Sequence, residues 1–187
     1  MKMNKKVTVN NQPETKPRVL VIMGSDSDLP VVEETGRLLA EFGISYEMTI
    51  ASAHRSPERV LTLAEGAERR GIEVIIAAAG AAAHLAGVIA SHTVLPVIGI
   101  PLSSSPLQGF DSLLSTVQMP PGVPVATVSV GKAGAKNAAI LAAQIIARKD
   151  REVVKKLIAY RKKMTEEVTK KAGAVRGDFP ETSRRKR

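Results

Sequence analysis

Short apolar runs alternate along the chain with longer stretches whose apolar positions recur every three or four residues. Arg18 to Met23 is such a run, closed by Gly24, as expected for a strand buried on both faces. Asp28 and Pro30 then open a helix in which Val31, Thr35, Leu38 and Phe42 share a face, and Gly43 stops it. Ser45–Ile50 predicts a second strand. Ser56-Pro57-Glu58 starts a helix with Val60, Leu63, Ala64 and Ala67 on one face, ended by Gly71. A third strand is predicted over Glu73–Ala78, a short helix over Ala82–Ala90, and a fourth strand over Pro96–Ile100 with Pro101 closing it. After a serine loop, a helix is predicted over Asp111–Gln118, a fifth strand over Val123–Val130 and an alanine-rich helix over Ala133–Ala147. A last helix, Asp150–Lys170, carries Val153, Leu157, Tyr160 and Met164 at heptad-like spacing.

Strands alternating with helices predict a parallel sheet covered on both sides, because parallel neighbours need a crossover that lies on a sheet face. Five such units give an α/β, flavodoxin-like three-layer sandwich with a five-stranded parallel sheet, plus the C-terminal helix. In this architecture ligands bind beyond the carboxyl ends of the strands. The turns Gly24–Asp28, Ser52–Ser56 and Gly80–His84 follow the first three strands and should meet at that edge.

Charge changes the picture only at the ends. The formal net charge is +9. Residues 18–160 nevertheless hold 13 Lys/Arg against 13 Asp/Glu, whereas residues 1–17 hold four Lys against one Glu and residues 161–187 hold ten basic against four acidic side chains. The body therefore lacks the basic surplus of a nucleic-acid-binding domain. Residues 1–17 are expected to be a disordered extension, 18–170 the folded domain with its C-terminal helix, and 171–187 a basic disordered tail that includes Ser183–Arg187. The chain has no cysteine, no signal-like start and no apolar run of about 20 residues, so a cytoplasmic protein without membrane contact is expected.

The candidate chemistry sits in two turns. Ser52-Ala53-His54-Arg55-Ser56-Pro57 sets a proton carrier beside a permanent cation whose planar fork suits phosphate. Met23-Gly24-Ser25-Asp26-Ser27-Asp28 offers hydroxyls and N–H groups at a helix start, where anions are held readily. Asp28 would repel phosphate, so a sugar hydroxyl is its expected partner. His84, after the third strand, is expected to line the same pocket, and His92 to cap a helix C-terminus. The three histidines lack metal-ligand spacing. Gly131-Lys132-Ala133-Gly134 lacks the first glycine and the hydroxyl of a triphosphate loop. Neither a metal site nor a nucleotide triphosphate site is therefore expected.

Four ordered stretches carry a resemblance: Met23–Asp28, Ser52–Pro57, Ala83-His84-Leu85 and Asp111-Ser112-Leu113-Leu114-Ser115-Thr116-Val117-Gln118-Met119-Pro120. From about Arg18 to Tyr160 the chain resembles the class I N5-carboxyaminoimidazole ribonucleotide mutases, the catalytic subunit of phosphoribosylaminoimidazole carboxylase. The resemblance implies a flavodoxin-like homo-octamer in purine synthesis, a ribonucleotide substrate, a functional link to an ATP-dependent synthetase, and no cofactor. It also implies His54 as general acid/base, Arg55 at the phosphate, and Ser25 and Asp28 at the ribose-phosphate. Ser27, Ser52 and His84 complete the expected substrate-binding set.

Two other functions fit the same residues: a direct carboxylase of aminoimidazole ribonucleotide using carbon dioxide, and a non-catalytic ribonucleotide-binding module. The chain also departs from the family's Ala-Gly-Ala-Gly-Gly-Ala-Ala-His-Leu-Pro-Gly stretch, since Ala78 and Ala81 replace glycines and Ala86 the proline. A methyl at Ala81 is expected to narrow the cavity for carbon dioxide or to shift the loop, because alanine tolerates positive φ poorly.

Overall fold

A computed structural model describes residues 16–178. Five strands, β1 (Val19–Met23), β2 (Tyr46–Ile50), β3 (Val74–Gly80), β4 (Val97–Leu102) and β5 (Ala126–Thr127), form one parallel sheet in the order β2-β1-β3-β4-β5. Its helices are α1 (Leu29–Glu41), α2 (Pro57–Gly66), α3 (Leu85–Ala90), α4 (Phe110–Val117), α5 (Gly131–Ile146) and α6 (Arg151–Asp178). The uninterrupted apolar runs are buried on both faces. Val19, Val21 and Met23 pack with Val32 and Leu39 of α1 and the alanines of α5, while Leu20 and Ile22 pack with Val60 of α2 and Ile89 of α3. Alternate residues of one strand thus feed two cores, as a doubly covered parallel sheet requires. Ala135, Ala138, Ala139, Ala142 and Ala143 are fully buried, which lets α5 lie close against α1, where Thr35 Oγ1 donates to Ala135 O at 2.8 Å.

Several boundaries differ from the sequence expectation. Pro101 does not close β4; it pairs with Ala79 inside the strand, which continues to Leu102. β5 ends at Thr127 opposite Gly99, so Pro101, two residues further on and facing the same side, has no strand beside it to miss its N–H. β5 itself is two residues long, not eight, because the prolines and glycine of Pro120–Pro124 hold the approach in turns. Helix α3 starts at Leu85 instead of Ala82, and the second helix stops at Gly66, followed by a 3-10 turn over Glu68–Arg70. Helix α6 runs to Asp178, so residues 171–178, expected in a disordered tail, are helical. The rest of that tail, with Ser183–Arg187, and residues 1–15 lie outside the described residues. On α6, Val153 and Leu157 are buried and Tyr160 stacks edge-on against Phe42 at 5.5 Å, but Met164 is 50% exposed. Arg18, at the foot of β1, bonds Glu73 and Asp150 at 2.6 Å each and so ties the start of α6 to the sheet.

Candidate active site

The loops after β1, β2, β3 and β4 enclose a cavity of about 280 Å³ at the carboxyl edge of the sheet. Ser25, Ser27 and Asp28 line it from the β1 loop, and Ser52, Ala53, His54 and Arg55 from the β2 loop. Gly24 N donates to Ala78 O at 3.1 Å, so the β1 loop leaves the sheet in register with β3. Ser25 then caps a single 3-10 turn, Asp26–Asp28, that precedes α1: its Oγ accepts from Ser27 N, and Asp28 Oδ2 accepts from Ser25 N at 3.0 Å. This reciprocal pair is a capping box. Asp28 therefore braces the loop and does not cap α1 itself, for which it makes no side-chain bond.

Asp28 is only 8% exposed. Burial pushes its carboxyl above the usual carboxylate range, outweighing the N–H groups of Ser25 and Gly24 and the Arg55 charge, while Asp26 adds to the rise. A carboxylate held at an energetic disadvantage inside a cleft is a functional-site signature.

In the β2 loop, Ser56 Oγ accepts from Ser52 N at 3.0 Å, fixing the turn that presents His54 and Arg55. Arg55 reaches back across the β1 loop, its Nη2 donating to Gly24 O at 2.9 Å and its Nε lying 3.5 Å from Ser52 Oγ. The guanidinium has five N–H donors, so this anchoring leaves others for an anion. His54 points the other way. Its Nε2 stands 2.9 Å from Nδ1 of His84, with the rings perpendicular and their centroids 5.0 Å apart. A single hydrogen fits between the two nitrogens, so one imidazole donates and the other accepts.

His84 itself is not among the residues lining the cavity; it meets His54 from the β3 side. His92, expected to cap a helix, lies just past α3 and approaches Glu65 Oε1 at 3.3 Å, away from the site. The remaining wall is built of Ala79, Gly80, Ala82, Leu85 and Ser104. Ser104 was not legible as a site residue; its only signal is that it follows the fourth strand at the same edge. Ala81 does not line the cavity, but its φ is +51°, so its replacement of glycine acts on the backbone and not on the volume. His54 and Arg55 are exposed, and a single chain leaves the cavity open to water. Among the described residues no three His, Cys, Asp or Glu side chains converge as metal ligands, and no helix is long and apolar enough to cross a membrane.

A family model of AIR carboxylase matches residues 18–167. The chain belongs to the AIR carboxylase family. It is 60% identical over 157 residues to the N5-carboxyaminoimidazole ribonucleotide mutase of Pyrococcus horikoshii, covering 84% of this chain and 88% of that protein. The mutase of Thermotoga maritima is 58% identical over 156 residues (83% and 90% covered), and that of Escherichia coli 48% over 151 residues (81% and 89%). Among solved structures, Treponema denticola PurE superposes with a TM-score of 0.75 at 28% identity, covering 84% of this chain and 98% of that one.

Proposed function

We propose that this protein is an N5-carboxyaminoimidazole ribonucleotide mutase of purine biosynthesis, which moves a carboxylate from the exocyclic nitrogen of an imidazole ribonucleotide to ring carbon four. The observation that carries this reading is the split between two adjacent residues: Arg55 turns to the hydroxyl-lined β1 loop, and His54 turns to His84. One loop thereby grips a phosphate and handles a proton. The 5′-phosphate lies among Arg55, Ser25, Ser27 and Ser52, and Asp28 accepts a ribose hydroxyl.

Protonated His54 gives its proton to the carbamate nitrogen. The N–C bond breaks with its electron pair left on nitrogen, yielding aminoimidazole ribonucleotide and carbon dioxide. Ring carbon four then attacks the carbon dioxide, and the proton displaced from that carbon returns to His54, which ends the cycle as it began. His84 holds the His54 ring while the site is empty, and ligand entry frees the Nε2 for this transfer. Carbon dioxide must not escape between the two steps, which requires the open cavity to close around the ligand.

The reading extends to a cytoplasmic homo-octamer that takes its substrate from an ATP-dependent synthetase. Support for assembly comes from the apolar stripe Leu107, Phe110, Leu114 and Val117, exposed at and before α4. Incubating the purified protein with each carboxylated ribonucleotide tests the activity, and light scattering tests the assembly. Interconversion in both directions is expected; His54→Asn should abolish turnover while product binding, measured by calorimetry, persists. Formation of product only from aminoimidazole ribonucleotide and carbon dioxide would instead make the protein a direct carboxylase. Ligand binding without turnover in the unaltered protein would make it a binding module.

A further inference from the structure

Three serines follow β4, and they are not equivalent. Ser105 Oγ accepts from Leu107 N at 3.1 Å and shapes the turn. Further on, Ser112 Oγ donates to Leu102 O at 2.8 Å and latches the end of the strand to α4. Ser104 takes no part in these bonds; it faces the cavity and lies against Gly80 of β3. A Cβ at position 80 would run into Ser104 Oγ and stand 2.8 Å from its Cβ, so glycine there admits the hydroxyl into the wall. The sheet order places Ser104 two strand positions from the β1 loop, about 10 Å away at roughly 4.8 Å per strand. That separation is on the order of the span from a 5′-phosphate to the far edge of its base.

We propose that Ser104 is a substrate-positioning residue whose hydroxyl donates a hydrogen bond to the migrating carboxylate, at the end of the cavity opposite the Arg55 phosphate site. The assignment rests on the mutase reading. The bond orients the carboxylate before the carbamate breaks and keeps its carbon facing ring carbon four afterwards. Its loss therefore appears in two quantities: affinity, and the share of carbon dioxide lost to solvent.

The test compares the full-length protein with Ser104→Ala and Ser104→Thr, following N5-carboxyaminoimidazole ribonucleotide, 4-carboxy-5-aminoimidazole ribonucleotide and released aminoimidazole ribonucleotide in one assay. Ser104→Ala should raise KM about tenfold, the size of a hydroxyl bond to a charged acceptor. It should also increase the fraction released as aminoimidazole ribonucleotide, which a merely structural role would not move. Ser104→Thr, which keeps the hydroxyl, should restore both. Unchanged KM and partition in Ser104→Ala overturn the assignment, as does a threonine variant impaired to the same degree as alanine. Failure of the unaltered protein to interconvert the two compounds overturns the mutase reading and this assignment with it.

Discussion

Ala81 is a non-glycine residue at φ +51° in the loop between β3 and α3, a position where the family resemblance implies glycine. Left-handed backbone brings an L-residue's Cβ against the following carbonyl at a cost of about 1–2 kcal/mol. Replacing Ala81 by glycine removes that cost. The exposed methyl contributes little burial, and the bond from Ala83 N to Ala81 O (2.9 Å) involves only backbone. Against this stands the greater freedom of glycine in the unfolded chain, about 0.4–1 kcal/mol. The difference leaves Ala81→Gly more stable by about 0.5–1 kcal/mol, or about 1–4 °C in Tm for a domain of this size. Calorimetry at fixed protein concentration reads the shift. Gly122→Ala provides the opposite control: its φ is +94° and no atom lies within 4 Å of the added Cβ, so backbone strain alone should lower Tm. A fall in Tm for Ala81→Gly, with Gly122→Ala behaving as stated, would refute the assignment of strain to the loop.

Two further predictions concern charged groups. Burial raises the Asp28 pKa, so the folded state binds a proton more tightly than the unfolded chain; stability falls as pH rises from the ordinary carboxylate value through the folded one, and the loss is complete above it. Asp28→Asn should therefore melt above the unaltered protein at pH 7 and level with it below about pH 4, while KM should rise about tenfold if Asp28 takes the ribose contact proposed above. Arg18 acts in the opposite sense, its hydrogen bond holding the Asp150 carboxyl below the usual range. That stabilisation is present above the ordinary carboxylate value and disappears as pH falls through the folded one. Arg18→Met should lower Tm by about 2–8 °C at pH 7, from roughly 1–2 kcal/mol for a half-buried paired network, and the gap should narrow in acid.

The sheet was legible because β1, β3 and β4 are apolar throughout, while β2 alternates Tyr46, Met48 and Ile50 with Glu47 and Thr49, and each is followed by a turn signal. Two of the misjudged boundaries share one cause: proline and alanine carry no fixed structural meaning until the neighbours are known. Pro101 reads as a strand end, yet it sits inside β4 because β5 is too short to need its N–H. Ala82 and Ala83 read as helix, yet the chain is still turning there, with Ala83 N bonded to Ala81 O and His84 N to Ala82 O. Ser25, Ser27, Asp28, Ser52, His54 and Arg55 could be placed at the edge because each directly follows a strand. Ser104 could not, since a hydroxyl in a serine-rich loop has no sequence mark that separates it from Ser103 or Ser105.

The pairing of His54 with His84 was also beyond sequence, and the topology explains why it matters. From β1 the chain passes outward to β2 and then returns across β1 to β3, so the β1 and β3 loops part at a switch point where α/β sheets open a crevice. His54 comes from one flank of that crevice and His84 from the other, and their 2.9 Å contact crosses it. Arg55, the next residue, is tied to Gly24 on the near side. Because the two functions are one peptide apart in sequence but oriented toward different strands, a ligand that satisfies both must run along the edge of the sheet. Its anion then lies over the β1 loop and its reactive ring toward β3. Under the proposed function, a free imidazole or a bare phosphate would fill only half of this arrangement, whereas an imidazole ribonucleotide would occupy both ends and separate the two histidines as it enters.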